Sequence, residues 1–509
     1  MRFTYSVLCA LLLVVQSATA DINQHFESIR NNPKALYAFF KKMPKGGELH
    51  YHLAGGASPE TMLKLAPLGN YCVDKISHTL SKTKTHCSDL PLKKLSPKSA
   101  LYREILNAWS LQDFKPGIES QHDHFFASFF KFQALVADFS PQLLASVIQH
   151  AAEQQALYLE VMVLPDNAYA TTFAPLIHKA STLEIKKKIL LNNPAYQKNI
   201  KHTVDESRHF IQDARKSLGC VKKPLTAACN VTVKLQYIIL REQPIDNLFA
   251  QALNGFAAAS QSSDLVSINL VQAEDGPISL QDYRKQMGII SFLHEAYPKT
   301  HITLHAGELS KHKVSQSTLD PKELRYHIHD ALYTGHAERI GHGTDIIHEK
   351  NKEKVLSFMK KNSIPVEINL TSNQRLLAVS DKENPLRYYL KHNVPVVLST
   401  DDEGILRTDL SQEYVEAALK HKLDYATLKT INRNAITYSF LPGKSIWKNA
   451  QKGIRVNACR HLDSKRCQRF IKQSEKATLQ RQLEKNLLAF EKQYEYPKRW
   501  RFIDWIKQK

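Results

Sequence analysis

The sequence has no Cys-x-x-Cys pair, no repeat of fixed period and no low-complexity segment. The first absence argues against a cysteine-based zinc site, the second gives no support to a repeat architecture, and the third argues against long disordered regions. After the first twenty residues, no apolar run reaches the roughly 20 residues that a membrane-spanning helix needs. The chain of 509 residues, 43% of them hydrophobic, can therefore bury a sizeable core.

Acidic residues are also in deficit, since 69 Lys and Arg face 49 Asp and Glu and the net charge is +20. A surface of one sign attracts polyanions. The basic residues are spread over the whole chain, however, and the run Lys186-Lys187-Lys188 lies in a helix-like stretch. The sequence therefore favours a solvated basic surface over a nucleic-acid or glycan site, with weak polyanion binding as the alternative.

The first twenty residues have the composition of a secretory signal peptide. Arg2 precedes the apolar run Val7 to Val15, and Ser17-Ala18-Thr19-Ala20 supplies small residues for cleavage after Ala20. An uncleaved membrane anchor is the alternative, but the apolar run is short for one. We predict that the protein is exported, either to a periplasm or to the outside of the cell.

Six of the seven cysteines lie outside this segment. An even number in an exported chain indicates disulfides, and six cysteines allow 15 pairings. Proximity in the sequence favours Cys72–Cys87, Cys220–Cys229 and Cys459–Cys467.

Short apolar runs alternate with amphipathic stretches along the chain. We predict eight strands: Glu48–Leu53, Leu157–Leu164, Val233–Leu240, Leu265–Val271, His301–His305, Arg339–His342, Val366–Leu370 and Val394–Ser399. Helix-like stretches follow most of them, for example Leu280–Ala296, Pro321–Tyr333 and Leu410–Lys420. Apolar strands alternating with helices indicate a parallel sheet, and eight of them indicate a closed α/β barrel of the (β/α)₈ TIM type.

Two regions interrupt this alternation. About a hundred residues, rich in aromatics at His124–Phe132, separate the first two strands and should arch over the mouth of the barrel. The charged C-terminal tail has the pattern of a packing or oligomer helix. We predict a signal peptide at 1–20, an N-terminal helical segment at 21–46, the barrel at 47–460 with a helical, disulfide-bearing insertion at 66–123, and a helical C-terminal extension at 461–509.

Histidines and aspartates stand at the ends of the predicted strands. His50 and His52 are two apart on the first strand, so their side chains point to the same side. The other such residues are His305 after the fifth strand, His342 after the sixth, and Asp401 and Asp402 after the eighth.

Taken singly, a histidine at a strand end is usually a hydrogen-bonded structural residue, and an aspartate pair is usually a helix cap. Together, these residues fall at the carboxyl ends of barrel strands, where barrel enzymes carry their active sites. Three imidazoles and a carboxylate suit zinc. We leave four other histidines, which lie in predicted helices or loops, as structural: His327, His329, His336 and His348.

The motifs around these residues resemble the adenosine deaminase family. They are Met43-Pro44-Lys45 with Glu48-Leu49-His50-Tyr51-His52-Leu53, His305-Ala306-Gly307-Glu308, Arg339-Ile340-Gly341-His342-Gly343 and Ser399-Thr400-Asp401-Asp402. The secreted, growth-factor-related branch is the most similar, through Pro365-Val366-Glu367-Ile368-Asn369 with Ser372-Asn373-Gln374, and Glu274-Asp275-Gly276 with Ser279-Leu280-Gln281-Asp282-Tyr283. The insertion and the signal peptide fit the same branch, which is often dimeric.

The resemblance implies one Zn²⁺ per chain and the deamination of adenosine or 2′-deoxyadenosine to inosine or 2′-deoxyinosine, in purine salvage or extracellular nucleoside breakdown. The implied zinc ligands are His50, His52, His305 and Asp401. Glu308 would protonate purine N1, His342 would orient the attacking water, and Asp402 would hydrogen-bond N7. Gly307 would allow a close approach of the backbone to the substrate.

The sequence departs from the family at two positions that face substrate. Ala54 stands where an acidic residue usually grips the ribose 5′-hydroxyl, and Gln272 stands where a glycine usually reads the purine N3 edge. These departures leave open AMP, a 5′-substituted adenosine or an N6-substituted adenosine as the substrate. Arg375, Arg387 and Arg407 could bind a phosphate, although surface ion pairs are the commoner role for such residues.

Two further alternatives lie outside this chemistry. A catalytically silent binding or growth-factor-like protein would keep the fold, but the intact set of catalytic residues argues against it. Another zinc amidohydrolase would often use two metals and a bridging lysine, and no strand-end lysine is suitably placed.

Overall fold

The structure is a computed structural model that describes residues 22–82, 87, 89–115, 117, 119–221, 226–316 and 318–495. The predicted signal peptide at 1–20 lies outside the described residues. Within the part of the chain that is described, no helix has both the length and the apolar composition that a membrane crossing requires.

Eight parallel strands form one sheet in chain order. They are β1 (Glu48–His52), β2 (Tyr158–Val163), β3 (Thr232–Leu240), β4 (Leu265–Val271), β5 (His301–Ala306), β6 (Arg339–His342), β7 (Val366–Ile368) and β8 (Val396–Leu398). The N–H of His52 donates to the carbonyl of Asp401 at 3.1 Å, which joins β1 to the segment after β8. This closure confirms the predicted (β/α)₈ barrel.

Helices surround the barrel. The α-helices are 22–29, Pro33–Lys42, Leu53–Gly56, Pro59–Leu65, Ala100–Ala108, Gln121–Glu153, Leu183–Leu191, Pro194–Ser217, Ile245–Ala259, Pro277–Ala296, Lys311–Ser315, His327–Tyr333, Lys352–Asn362, Leu370–Leu377, Leu386–Lys391, Glu403–Leu406, Leu410–Leu419, Tyr425–Thr437, Lys465–Ile471 and Glu475–Lys492. Single turns of 3₁₀-helix lie at Ala66–Leu68, Leu92–Lys94, Ala227–Asn230, Glu323–Arg325 and Asn457–Cys459, and a longer one at Tyr169–Leu176.

The strands form where the sequence is apolar on both faces. All six residues of β2 are buried, as are six of the seven in β4. Strands of a parallel barrel pack against side chains inside and helices outside, so their sequences lack the alternation of a half-exposed sheet. The predicted strands match the observed ones because this signal is strong in a single sequence.

One predicted helix is broken. Pro321–Tyr333 was expected to be continuous, but Glu323–Arg325 is a 3₁₀ turn and the α-helix begins only at His327. Tyr326 separates the two with φ −150°, which is outside the helical region. Its hydroxyl bonds to Glu323, and the break lets His327 turn inward to a fully buried position.

The segment between β1 and β2 carries a small three-stranded antiparallel sheet, Tyr71–Val73 with Leu80–Lys82 and Leu90–Pro91, and the long helix Gln121–Glu153. Pro141 lies just after a kink at Phe139, as expected where proline removes a helical hydrogen bond. Leu111 N–H donates to the carbonyl of Ile405 at 2.8 Å, and His122 Nε2 lies 3.2 Å from Asp275 Oδ1. The segment therefore contacts the loops after β4 and β8, at the mouth of the barrel.

The chain after the barrel forms a separate small unit, which we call the C-terminal module (residues 444–492). It contains the antiparallel pair Trp447–Asn449 with Ile454–Arg455 and the helices Lys465–Ile471 and Glu475–Lys492. Its first part packs around its own buried cluster, which includes Trp447 and both cysteines of a disulfide. The observed helices begin within the predicted extension at 461–509, whose residues after 495 lie outside the described part.

Three disulfides link Cys72 to Cys87, Cys220 to Cys229, and Cys459 to Cys467. These are the pairings that sequence proximity favours. The first closes a short loop in the segment between β1 and β2, the second one in the connection just before β3, and the third one in the C-terminal module.

Candidate metal centre and active site

Four side chains from three places in the chain converge at the carboxyl end of the barrel. His50 Nε2 and His52 Nε2 lie 3.2 and 3.3 Å from the same oxygen, Asp401 Oδ1. His52 Nε2 also lies 3.2 Å from His305 Nε2. The structure thus brings together all four residues that the sequence predicts as metal ligands.

These atoms fit a divalent metal ion. His50 Nε2 and Asp401 Oδ1 are buried and have no hydrogen-bond partner within the described residues. Ligand bonds of about 2.0–2.1 Å in a tetrahedral arrangement place neighbouring donor atoms about 3.4 Å apart, close to the spacing seen here. His342 lies beside this set, and its ring nitrogen can join His50, His305 and Asp401 within 4.8 Å of one another.

Three of the four ligands are held on their other side by a side chain from another part of the barrel. His50 Nδ1 donates to Glu367 Oε2 at 2.8 Å, and His305 Nδ1 donates to Asn269 Oδ1 at 3.0 Å. Ser372 Oγ donates to Asp401 Oδ2 at 2.8 Å. Such bonds set the tautomer, so that the Nε2 lone pairs face the shared centre, and they orient ligands before an ion binds.

A buried arginine supports this arrangement from beneath. Arg339 donates from Nε to Glu367 Oε1 and from Nη2 to Glu160 Oε2, each at 2.6 Å, and its guanidinium lies 3.9 Å from the centre of the Phe440 ring. All three charged groups are almost fully buried. Because a carboxylate in the barrel interior needs a partner, Arg339 keeps Glu367 charged and able to hold His50.

The potential at the centre favours a cation. Burial disfavours the charged form of His50, but Asp401 and Glu367 flank the ring and together raise its pKa to about 10. A metal ion competes with a proton for the same lone pair. The carboxylates that attract the proton therefore also attract a divalent ion.

Glu308 follows the ligand His305 by three residues and is buried next to the centre. Its Oε1 lies 3.7 Å from His342 Nε2. Burial raises the pKa of Glu308 well above its ordinary value, and the negative charge of Asp401 raises it further. A carboxyl group in this state can donate a proton to a bound substrate at neutral pH.

Gly307 has φ +73°, and a Cβ at this position would collide with Asp345 and Ile328. Glycine is therefore required for the turn that carries Glu308.

Glu274 holds that turn and was missed by the sequence analysis, which noted it only within a motif. Its carboxylate accepts the N–H of Gly307 at 3.0 Å and the N–H of Glu308 at 2.8 Å. His327 Nδ1 lies 2.6 Å from the same carboxylate. Burial raises the pKa of Glu274, but the contact with His327 outweighs burial, so the pKa of Glu274 is lowered. His327, assigned as structural, thus supports the acid indirectly, and no periodicity in the sequence signals the pair.

His342 and Asp401 both have left-handed backbone, with φ 64° and 67°. Such strain at non-glycine residues is typical of functional sites, because it turns side chains away from the strand direction. Burial lowers the pKa of His342 to about 4, so the ring is neutral. Its Nδ1 donates to Asn373 Oδ1 at 2.9 Å, which leaves Nε2 facing the centre with a lone pair.

Asp402 is buried, and its Oδ1 has no hydrogen-bond partner among the described residues. Burial raises its pKa to about 8. A Cβ on Gly55 would collide with this carboxyl group, so the turn after β1 must be free of a side chain there. An unpartnered buried carboxyl at the edge of the centre is available to a ligand.

The two residues that differ from the family pattern at expected substrate positions, Ala54 and Gln272, lie in different surroundings. Ala54 lies in the helical turn Leu53–Gly56, directly after the two histidines of β1. Gln272 has φ +82°, a conformation suited to glycine, and its Oε1 accepts the N–H of Glu242 at 2.9 Å. The Gln272 side chain is therefore bound to the neighbouring loop, while its backbone keeps the path that a glycine would take.

The three late arginines do not form one cluster. Arg375 and Arg407 line a common groove of about 450 Å³ between helices Leu370–Leu377 and Leu410–Leu419. Arg407 also forms an ion pair with Glu60 at 2.7 Å, and Arg387 instead donates to the carbonyl of His421. Asp409 and Glu416 line the same groove, so its charge is mixed.

A (β/α)₈ barrel with three histidines and an aspartate at its carboxyl end defines a metal-dependent hydrolase. Residues 119–450 match the family model for adenosine deaminase. The chain belongs to the adenosine deaminase family, as the motif resemblance implied.

Curated relatives differ in the reaction that their names state. An adenosine deaminase of Clostridium kluyveri is 23% identical over 419 residues, which cover 81% of this chain and 94% of that protein. An aminodeoxyfutalosine deaminase of Streptomyces coelicolor is 37% identical over 119 residues, 23% of this chain and 30% of the relative. An N6-methyl-AMP deaminase of Danio rerio is 38% identical over 108 residues, 21% of this chain and 31% of the relative. The last two matches span less than a third of those proteins.

Solved structures share the fold at low identity. An adenine deaminase from Arthrobacter aurescens superposes with a TM-score of 0.50 and 16% identity, covering 78% of this chain and 94% of that one. An amidohydrolase from Burkholderia ambifaria with bound zinc gives a TM-score of 0.53 and 14% identity, covering 89% and 94%. These matches support the barrel architecture.

Proposed function

We propose that this protein is a zinc-dependent deaminase that hydrolyses the 6-amino group of adenosine and 2′-deoxyadenosine, giving inosine or 2′-deoxyinosine and ammonia. The observation that carries the proposal is the convergence of His50, His52, His305 and Asp401 on one point, with the buried carboxyl of Glu308 beside it. Nitrogen-rich ligand sets with one carboxylate suit zinc better than magnesium or calcium.

Each residue near the centre has a role in this reaction. A bound zinc ion supplies Lewis-acid activation of a water molecule near neutral pH. Glu308 donates a proton to purine N1, which makes C6 more electrophilic. His342, neutral and aimed by Asn373, accepts a hydrogen bond from the attacking water and orients it. Asp402 is the buried carboxyl that binds purine N7.

The direction of proton transfer follows from the environment of Glu308. An ordinary exposed carboxyl would be ionised at neutral pH and could only accept a proton. Burial next to Asp401 keeps this one protonated. Glu274 fixes the backbone of residues 307 and 308, so the acid is held in place before the substrate arrives.

A second candidate substrate is AMP or an adenosine modified at the 5′ or N6 position. Ala54 favours it, since the family's usual acidic residue would repel a phosphate, whereas alanine leaves room for a 5′ group. The local similarity to an N6-methyl-AMP deaminase points in the same direction. The unmodified nucleoside stays the first candidate because the groove that holds Arg375 and Arg407 has mixed charge.

Steady-state turnover of adenosine, 2′-deoxyadenosine, methylthioadenosine and AMP, with the metal content of the purified protein measured, tests the proposal. We expect one zinc ion per chain and the highest kcat/KM for an unmodified nucleoside. A preference for AMP or methylthioadenosine would select the second candidate. Zinc-loaded protein that turns over none of the four would indicate a silent binding protein.

The variant Glu308→Gln separates catalysis from metal binding. General acid catalysis contributes about 10²–10⁴-fold, so kcat should fall by that factor while the zinc content stays constant. Glu353→Gln, an exposed acid on helix Lys352–Asn362, is the matched control and should leave kcat unchanged. Full activity of Glu308→Gln would contradict the role given to Glu308.

We also propose, from the sequence, that the protein is exported after cleavage behind Ala20 and that it forms a homodimer. Amino-terminal sequencing of protein from the culture medium and periplasm tests the first point, and light scattering on the purified protein tests the second. An intact amino terminus in the cytoplasm, or a monomer across concentrations, would overturn them respectively.

A further inference from the structure

The C-terminal module carries the most one-sided charge in the described chain. Residues 444–472 contain nine Lys and Arg but one acidic residue, Asp463. Eight of the nine are exposed: Lys444, Lys448, Lys452, Arg460, Lys465, Arg466, Arg469 and Lys472. None of these eight forms an ion pair with a described residue, and Asp463 is already paired with Arg481 at 2.7 Å and Lys485 at 3.1 Å.

Part of the basic surface elsewhere is neutralised locally. In the run Lys186–Lys188, Lys186 pairs with Asp246 and Lys187 pairs with Glu184. Glu484, by contrast, is buried in the C-terminal module and forms ion pairs with Arg433 and Arg455, so it does not neutralise the eight exposed cations. The unpaired cations of the module repel one another, so they gain by meeting an external anionic surface.

The fold separates the cations from the module's apolar side chains. On helix Lys465–Ile471, Cys467, Phe470 and Ile471 pack into the local core. Lys465, Arg469 and Lys472 recur three and four residues apart and so share the outward face, with Arg466 next to them. The Cys459–Cys467 disulfide fixes the start of this helix to the preceding turn, which keeps the basic face rigid.

An exposed aliphatic side chain lies within this basic region. Ile454 is 47% exposed and follows the hairpin turn that contains Lys452. An isoleucine among cations adds nothing to the binding of a sugar-phosphate or sulfated glycan chain, but it can insert between lipid headgroups. In sequence, residues 496–509 add five Lys and Arg and two of the chain's four tryptophans, a composition typical of segments that favour the membrane interface.

We propose that the C-terminal module is a docking surface for an anionic lipid bilayer. The four cations of the 465–472 face bind the phosphate headgroups, and Ile454 enters the headgroup layer. The surface belongs to a module with its own core, outside the barrel and the metal centre, so docking holds the enzyme at a membrane and does not take part in the chemistry. The inference does not depend on the identity of the nucleoside substrate.

Co-sedimentation of the full chain with vesicles tests it. Vesicles of phosphatidylglycerol mixed with phosphatidylcholine should bind the protein, pure phosphatidylcholine should not, and added salt should release it. Each cation near such a surface strengthens partitioning roughly fivefold, so the fourfold variant Lys465→Gln/Arg466→Gln/Arg469→Gln/Lys472→Gln should bind at least about a hundredfold more weakly.

The matched control removes the same charge elsewhere. Lys350, Lys354, Lys360 and Lys361 are exposed, and none forms an ion pair with a described residue; changing all four to Gln should weaken binding far less. Ile454→Ser should weaken it by roughly tenfold. Turnover of adenosine in solution and thermal melts should be unchanged in all variants, which confirms that they fold and separates this result from the test of the proposed function.

Equal binding by the two fourfold variants would overturn the proposal, since the attraction would then come from net charge alone. Tighter binding to double-stranded DNA or heparin than to the vesicles, with no effect of Ile454→Ser, would also overturn it and assign the surface to a polyanionic chain.

Discussion

The two halves of the active site are built by different means. In the half borne by strands, His50, His305 and Asp401 are each bonded from behind by a side chain of the barrel or its first turns. The half borne by loops comprises the expected substrate positions Ala54 and Gln272, and there the Gln272 side chain is bound only to the loop at Glu242 among the described residues. Metal chemistry thus depends on the scaffold, while substrate choice depends on positions that can change without disturbing the barrel.

The largest expected effect comes from removing the metal ion from the strand-borne half of the site. Removing the metal with a chelator at neutral pH should lower turnover of the preferred nucleoside by at least about a thousandfold, because the water is no longer activated. Adding zinc back should restore it, and a pre-formed zinc–chelator complex serves as the control. Full turnover by protein shown to be metal-free would contradict the dependence of the chemistry on the strand-borne half.

Replacing the buried arginine tests the scaffold itself. Arg339→Met leaves Glu160 and Glu367 buried without their cation, which should lower the free energy of unfolding by about 3–5 kcal/mol. Arg284→Met is the matched control, since Arg284 is 72% exposed in its pair with Asp330 and should matter by less than about 1 kcal/mol. Urea unfolding measures both, and similar small losses would mean that the network is not structural.

Restoring an acidic residue in the loop-borne half should act on the substrate and spare the metal. In Ala54→Asp, a new hydrogen bond to the ribose 5′-hydroxyl should lower KM for adenosine by about tenfold and weaken any use of AMP. Zinc content and the melting temperature should stay near those of the unaltered protein. A loss of zinc in this variant would show that the two halves are coupled.

The smallest expected effect concerns the contact between the insertion and the barrel. Burial opposes the charge on His122, but the contact with Asp275 outweighs burial and raises the pKa of His122. Burial also opposes the charge on Asp275, but the contact with His122 outweighs burial and lowers the pKa of Asp275. The histidine therefore contributes stability below its ordinary pKa of about 6.5, lost as pH rises through the higher folded value. The aspartate contributes above its ordinary pKa of about 3.9, lost as pH falls through the lower folded value.

The contact should consequently be strongest between about pH 4 and 6.5 and weaker once the pH rises past the raised pKa of His122. Asp123 and Lys313 also face His122 and modulate it. Hydrogen–deuterium exchange at the start of helix Gln121–Glu153 should speed up a few-fold from mildly acidic to alkaline pH beyond the intrinsic rate change. His122→Gln should remove that excess, and an excess that persists in the variant would assign it to another group.

The strand-borne half was also the more predictable one. Its strands are continuous apolar runs, and the two-residue spacing of His50 and His52 places both side chains on one face whatever surrounds them. What the sequence did not reveal is the layer behind the ligands. Glu367 and Arg339 stand in apolar strands with no local sign of pairing, because their partners lie on other strands.

The loop-borne half resisted prediction for a different reason. The side chain of Gln272 was expected at the substrate, but its direction depends on a loop from the preceding strand. The break at Tyr326 likewise depends on the burial of His327 against Glu274, a contact between residues 53 positions apart. Such choices are made by packing that a local pattern does not contain.

The metal centre lies on the seam where the first strand meets the turn after the last, since His52 and Asp401 share a backbone hydrogen bond as well as a place in the ligand set. These two residues are about 350 positions apart in the chain. The ligand set is therefore complete only when nearly the whole polypeptide has been synthesised and the barrel has closed. An ion can therefore bind only late in folding, and a bound ion would cross-link the first strand of the barrel to the segment after the last strand.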